Sequence, residues 1–303
     1  MPKDLLAIDD FSTHELRDLF RSAVEIKAKT KRGETHQPLA GKTLAMIFQK
    51  PSNRTRVSFQ VGIYQLGGHA VYLSPGDIQL GKRESTADVA RVLARYADGI
   101  MARLFEHRII EELAMNSEAS VINGLTDLLH PCQVLGDLLT ILEWRKDVDG
   151  ARVAFVGDGN NVANSWLNAA VRIPLDLRIA TPSGHEPDEN ILHKTQSAGV
   201  SGLLLTNDPR EAVEGAEVIY SDVWASMGQE GETEKRVREF EGFQINDALL
   251  DLADKQVKVM HCLPAHRGQE ITDEVMDGPH SVVFDQAENR MHIQKAVMVE
   301  LMS

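Results

Sequence analysis

Lys50-Pro51-Ser52-Asn53-Arg54-Thr55-Arg56 lies between the apolar run Leu44 to Phe48 and a helix-like run that starts near Val57. The apolar run reads as a strand, and Ser52 and Asn53 are good helix N-cap residues. A helix begun there points unpaired backbone N–H groups and a partial positive charge at whatever lies in front of it. Ser52 and Thr55 add hydroxyl donors, and Arg54 and Arg56 add planar forks suited to phosphate oxygens. Two readings stand: an anion cradle, or a capped surface helix with a basic first turn. Basic residues at a helix N-terminus oppose the dipole, which favours the cradle.

Outward from this stretch, short apolar runs alternate with helical periodicity. Strands are predicted at Leu44 to Phe48, Ala70 to Leu73, Gly99 to Ala102 and Ser120 to Ile122, with helices near 55–66, 86–96 and 107–115. This is a parallel α/β pattern. Before it, Phe11-Ser12-Thr13-His14-Glu15 predicts a capped helix through about Lys27, followed by a polar loop from Thr30 to Gln37. After it, Val134, Leu135, Leu138, Leu139 and Leu142 predict a longer helix over about 133–147, placed to bridge two domains. The second half repeats the alternation, with strands near Val153 to Val156, Leu177 to Thr181, Leu203 to Leu205, Val218 to Tyr220, Val257 to Met260 and Val282 to Phe284. A final helix from about Gln286 to Met302 has no strand after it.

With 303 residues the chain has room for two domains, each with a core of its own. A composition of 43% hydrophobic and 25% charged residues is that of an ordinary globular protein. The net charge of -13 argues against nucleic acid as a partner, so positive charge for an anion has to be gathered locally, as residues 50–56 do. Cys132 and Cys262 are the only cysteines and the first residues do not resemble a signal peptide. These features predict a reducing, cytoplasmic setting without a disulfide framework or a four-ligand zinc site. No apolar run approaches the ~18 residues of a membrane span.

Gly157-Asp158-Gly159-Asn160-Asn161, after the strand Val153 to Val156, imitates the glycine turn of a dinucleotide site. The third glycine is missing, and the next strand ends in Ala180-Thr181-Pro182, where a ribose-binding acid is needed. No nicotinamide cofactor is therefore expected. A tight turn accounts for the glycines and leaves Asn160 and Asn161 at a helix start, where amides can bind a substrate carboxylate.

Three further clusters carry polar chemistry. His130-Pro131-Cys132-Gln133 sets an imidazole and an amide around a proline suited to a first helical turn. Asp222 follows a strand and precedes Ser226-Met227-Gly228; it reads either as a carboxylate for an ammonium group or as part of an ordinary polar loop. His261-Cys262-Leu263-Pro264-Ala265-His266-Arg267 suggests metal binding or nucleophilic catalysis. Against a metal, His261 and His266 are five apart across a proline and have no carboxylate pattern beside them. Against a nucleophile, no oxyanion-loop signature surrounds the cysteine.

Taken together, residues 48–59, His130-Pro131-Cys132-Gln133, Asp222-Val223-Trp224-Ala225-Ser226-Met227-Gly228, His261-Cys262-Leu263-Pro264 and Ala287-Glu288-Asn289-Arg290 resemble the aspartate/ornithine carbamoyltransferase family, in unchanged order and nearly end to end. The Ser-Met-Gly loop and the His-Cys-Leu-Pro segment resemble its ornithine-specific members. The resemblance implies two parallel-sheet α/β domains in the carbamoyltransferase fold. These are a carbamoyl-phosphate-binding domain over 1–132, onto which the C-terminal helix 286–303 returns, and an ornithine-binding domain over 133–285. It also implies transfer of the carbamoyl group of carbamoyl phosphate to the δ-amine of L-ornithine in arginine metabolism, giving L-citrulline and phosphate. No cofactor, metal, nucleic acid or membrane is implied, and a cytoplasmic homotrimer is. The alternatives are a related transferase acting on putrescine or N-acetylornithine, and a phosphate-sensing binding protein that keeps the fold without turnover, for which Asn53 is the only support.

By the same resemblance, Ser52, Asn53, Arg54 and Thr55 bind the phosphate, with Gln79 reaching in from a neighbouring subunit. Arg103, His130 and Gln133 hold the carbamoyl group. Asn161, Asp222, Ser226 and Met227 bind ornithine, and Cys262, Leu263 and Arg290 close around the reacting centre. Arg54, Thr55, Arg103, His130 and Cys262 are the residues implied in catalysis. One departure stands out: the family's usual second residue in the phosphate motif is threonine, and here it is Asn53, an amide that still caps and donates.

Overall fold

Apolar strands that alternate with amphipathic helices have one economical solution, a parallel sheet with helices on its faces, and the chain forms two of them. A computed structural model describes residues 3–81, 83–225 and 233–303. In chain order the elements begin with α1 (Thr13–Lys31), β1 (Thr43–Phe48), α2 (Asn53–Gln65), β2 (His69–Leu73), α3 (Pro75–Ile78), α4 (Thr86–Tyr96), β3 (Gly99–Arg103), α5 (His107–Asn116), β4 (Ser120–Leu125) and α6 (Pro131–Arg145). They continue with β5 (Ala151–Val156), α7 (Asn161–Ala170), β6 (Leu175–Ala180), α8 (Glu189–Ala198), β7 (Gly202–Thr206), α9 (Pro209–Val213) and β8 (Val218–Ser221). The last are α10 (Thr233–Glu239), α11 (Asp247–Leu250), β9 (Lys258–His261), α12 (Asp273–Met276) and α13 (Val283–Met302). One compact unit contains residues 1–139 and 288–303, and the other residues 140–287, so the divisions fall within α6 and α13.

In the first unit the strand order is β2-β1-β3-β4, all parallel. β1 and β4 are buried almost continuously, as strands covered on both faces must be, whereas the edge strand β2 is partly exposed. β4 also ends its sheet, but its outer edge is covered: the Leu5 N–H donates to the Val121 carbonyl at 2.9 Å, and the Asn123 N–H donates to that of Leu5 at 2.8 Å. Such cover removes a row of unpaired backbone groups. The second unit has the order β7-β6-β5-β8-β9, again all parallel.

Helix α13 returns to the first unit and packs there with little clearance. A Cβ on Gly99 would meet the Met302 sulfur at 2.9 Å, and one on Gly62 would meet Met298 Cε at 3.1 Å. Ser120 Oγ donates to the Leu301 carbonyl at 2.9 Å. Lys295, 1% exposed, donates to Thr30 Oγ1 at 2.9 Å and Gln65 Oε1 at 2.6 Å, and burial pulls its ammonium down to about 8.

Two elements depart from the sequence-based expectation. Val282 to Phe284 is the entry to α13, not a strand: only Ser281 bridges β9, at Val259, and the Gln286 N–H then closes the first helical turn on the Val282 carbonyl at 2.9 Å. A short apolar run does not by itself separate a buried strand from a buried helix. α1 runs to Lys31 and takes in Thr30, whose hydroxyl donates to the Ile26 carbonyl at 2.8 Å, so the predicted loop begins later.

Candidate active site

Open parallel sheets bind ligands beyond the carboxyl ends of their strands, where the strand order reverses. In the first unit that point lies between β1 and β3, and in the second between β5 and β8. Several of the predicted site residues lie at these two places, and Gln79 does not.

β1 delivers the chain to Ser52, which caps α2 from an extended conformation. Its Oγ accepts from the Thr55 N–H at a long 3.4 Å and donates to Thr55 Oγ1 at 3.2 Å. The backbone N–H groups of Asn53 and Arg54 have no hydrogen-bond partner among the described residues. They are the donors that a helix start offers to an anion. Arg54 is half-buried beside them and Thr55 is buried. Arg56, which the sequence offers as a second fork, is instead exposed and lies over the Tyr72 ring, 3.9 Å from its centroid.

Next to β1, β3 ends at Arg103, where the pairing with β4 shifts between Ala102 and Arg103. His130 is buried immediately before Pro131 opens α6. Burial holds its imidazole well below the usual histidine range, and the cations Arg290, Arg103 and Arg54, in that order, hold it lower still. It is therefore a neutral ring in a cationic field. Gln133, one turn on, accepts at Oε1 from Arg290 Nη1 at 2.9 Å and donates through Nε2 to Asp137 Oδ1 at 2.8 Å. Gly136 makes this pairing reachable, since a Cβ there would sit 2.9 Å from the Arg290 Cα. Asp137 is fully buried and was not among the predicted site residues; its signal is the Gln-to-Asp spacing of four on one helix face. Gln79 stands apart: it ends α3 in the left-handed region, φ 42, with its side chain exposed.

In the second unit, Asp222 follows β8 and is 6% exposed. Its Oδ1 accepts from the Val223 N–H at 2.8 Å and from Cys262 Sγ at 2.7 Å, and its Oδ2 accepts from Asn160 Nδ2 at 2.8 Å. Asn160 also caps α7, its Oδ1 accepting from the N–H groups of Val162 at 2.9 Å and Ala163 at 3.3 Å. Asn161 is half-buried at the first position of that helix. Ser226 and Met227 lie outside the described residues.

Cys262 follows β9. Leu263 has φ 58, precedes a cis proline, and donates its N–H to His261 Nδ1 at 2.9 Å. That acceptor role puts the imidazole proton on Nε2, which faces Glu270 Oε1 at 3.2 Å, both side chains fully buried. Both nitrogens of His261 are thus engaged, and among the described residues no group of three His, Cys, Asp or Glu side chains is placed to hold a metal. The glycine turn is explained just as locally. A Cβ on Gly159 would lie 2.3 Å from the Pro187 nitrogen, so this glycine admits the chain's own 185–187 segment. Asp158 beside it pairs with Arg236 at 2.9 Å, while burial pushes its carboxyl up.

Comparison with known proteins covers both units. Residues 3–143 match the family model "Aspartate/ornithine carbamoyltransferase, carbamoyl-P binding domain", and residues 149–301 match its "Asp/Orn binding domain". The chain is 54% identical over 298 residues to an ornithine carbamoyltransferase of Syntrophus aciditrophicus, covering 98% of this chain and 99% of that one. To the enzyme of the same name from Syntrophotalea carbinolica it is 53% identical over 303 residues, covering both chains fully at 100%. The solved ornithine carbamoyltransferase from Pyrococcus furiosus superposes with a TM-score of 0.95 at 50% identity, covering 99% of this chain and 97% of that one. A similarity this even over both halves leaves one assignment: the chain belongs to the aspartate/ornithine carbamoyltransferase family.

Proposed function

We propose that this protein transfers the carbamoyl group of carbamoyl phosphate to the δ-amine of L-ornithine, giving L-citrulline and phosphate. The observation that carries the reading is the pairing of charges at the two sheet reversals. Arg54, Arg103 and Arg290 gather around a neutral His130 in one unit, and a buried carboxylate, Asp222, is held by three donors in the other. The first suits a phosphate and a developing oxyanion, and the second suits an ammonium group.

In this reading the open start of α2 takes the phosphate through Ser52, Asn53, Arg54 and Thr55, and Arg103, His130 and Gln133 hold the carbamoyl group. Asp222 and Asn161 take the α-ammonium and carboxylate of ornithine, together with Ser226 and Met227. The neutral δ-amine attacks the carbamoyl carbon, the carbonyl electrons move onto oxygen, and the tetrahedral oxyanion collapses with loss of phosphate, which carries away the proton that the nitrogen sheds. The guanidinium groups and Thr55 stabilise charge that grows in the transition state, often the largest catalytic contribution. No covalent enzyme intermediate is required. An amine of this kind has a pKa near 10.4, and a cationic, poorly hydrated pocket favours its neutral form. Cys262, Leu263 and Arg290 enclose the reacting centre, with Cys262 a packing and hydrogen-bonding group rather than a nucleophile. The reading further assigns Gln79 to a neighbouring subunit's site in a homotrimer.

The test is a citrulline colour assay on purified protein with carbamoyl phosphate and a panel of L-ornithine, N-acetylornithine and putrescine. The expected result is a preference for ornithine by several orders of magnitude. Equal turnover of either analogue overturns the ornithine assignment.

A further inference from the structure

Ornithine recognition, as proposed above, depends on how the Asp222 carboxylate is oriented, and the geometry around it singles out one residue with no assigned role. An ionised carboxylate has about four lone-pair directions. Among the described residues three are occupied at Asp222: two on Oδ1, by Val223 N–H and Cys262 Sγ, and one on Oδ2, by Asn160 Nδ2. Among those residues one direction is left for the ammonium of a substrate, on the oxygen that Asn160 shares. The Asn160 amide is itself not free to turn. Its Oδ1 is committed to the N–H groups of Val162 and Ala163, so reversing the amide would bring two pairs of donors face to face. The cap of α7 thereby decides which end of the amide meets Asp222.

We propose that Asn160 is a positioning residue for ornithine: its side chain converts the start of α7 into a fixed N–H donor that aims Oδ2 of Asp222 at the substrate's α-ammonium. It acts through Asp222 and touches no reacting atom. The inference rests on the reading of Asp222 as the ammonium site. It makes the cap and the donor separable, because aspartate and serine cap helices about as well as asparagine, but neither presents an N–H to Asp222. Aspartate goes further and sets an acceptor against an acceptor.

The experiment uses the full chain with Asn160→Asp and Asn160→Ser, comparing KM and kcat for ornithine, KM for carbamoyl phosphate, thermal stability, and inhibition by 2-aminopentanoate, which carries the α-ammonium and lacks the δ-amine. Asn160→Asp is expected to raise the ornithine KM by about ten- to a hundredfold and Asn160→Ser by about three- to tenfold, the range for losing a charge-assisted hydrogen bond. Affinity for 2-aminopentanoate should fall by the same factors, with kcat and the carbamoyl phosphate KM within about threefold. A merely structural role predicts near wild-type KM in both variants, since both keep the cap, and that result overturns the proposal. So does a loss shared equally between the two substrates. If Asn160→Asp does not fold, the serine variant decides alone. Wild-type protein that makes no citrulline from ornithine overturns the underlying reading instead, a failure visible before any variant is made.

Discussion

The starts of α2 and α7 occupy equivalent places, each following the strand of its sheet at which the order reverses, yet they are finished in opposite ways. At α2 the cap is a serine whose one bond to the first turn is long, two N–H groups are left for a ligand, and arginine follows. At α7 an asparagine satisfies two N–H groups and passes the other end of its amide to a carboxylate. In the proposed reading one helix start receives an anion, and the other holds an anion of the protein's own so that a cation can be received. The difference lies in a cap residue and the turn after it, not in the strand-to-helix geometry.

The largest effect that sharpens this contrast is expected at Asp222. Asp222→Asn should lower kcat/KM for ornithine by about 2–5 kcal/mol, the cost of breaking a largely desolvated ion pair, while the carbamoyl phosphate KM changes much less. Steady-state kinetics with each substrate varied in turn measures it, and an unchanged ornithine KM breaks the comparison on the α7 side. On the α2 side, Arg54→Ala should reduce kcat by about a hundredfold, because the contact strengthens as the transition state gains charge. Near-normal turnover at saturating carbamoyl phosphate would show that the open helix start is not where the charge develops.

The caps themselves should differ in stability. Asn160→Ala removes two helix bonds and is expected to cost about 1–2 kcal/mol, whereas Ser52→Ala, losing one long bond, should cost about 0.5 kcal/mol. Urea titrations of the two variants compare them directly, and equal shifts would mean that α2 is as well closed as α7.

Acid adds a further distinction. The folded-state pKa of His130 is depressed, so the unfolded chain takes up this proton first as pH falls below 6.5, and the stability tied to the neutral ring, fully present above 6.5, is lost toward acid. His130→Gln should flatten that part of the acid limb and leave stability above pH 6.5 with no new pH dependence. The smallest effect is expected for Asn53→Thr, within about tenfold in turnover, since Ser52 keeps the cap and either side chain at the first helical position can donate. A collapse of activity there would show that the α2 start is tuned to an amide.

Much of this contrast is legible in the sequence, though not its working parts. The apolar runs mark the strands from Leu44 to Met260, and helix α4 falls at the predicted 86–96, because period and caps are local properties. The cradle residues are likewise contiguous. Asn160 was noted as a helix-start amide, but its tie to Asp222 spans 62 positions, and the bond from Arg290 to Gln133 spans 157. No periodicity encodes which end of an amide faces which partner. Arg56 shows the opposite failure: its side chain was suited to phosphate in type, and a neighbouring strand's tyrosine takes it. Val282 to Phe284 is ambiguous in the sequence because three apolar residues are too few to distinguish a strand from the first turn of a helix.

The return of α13 has a consequence for how the molecule is made. Residues 288–302 leave the ribosome after all of the second unit, yet the first unit is closed by them: Met302 fills the space at Gly99, Lys295 ties Thr30 to Gln65, and Arg290 reaches Gln133. During synthesis the second unit, continuous in sequence, can complete its sheet while the first waits with an uncovered apolar face and an unfinished cationic cluster. The bond from Arg290 to Gln133 therefore forms only after the second unit has been synthesised. A chain truncated after Ala287 should hold a protease-resistant second unit beside a first unit that chaperones still bind.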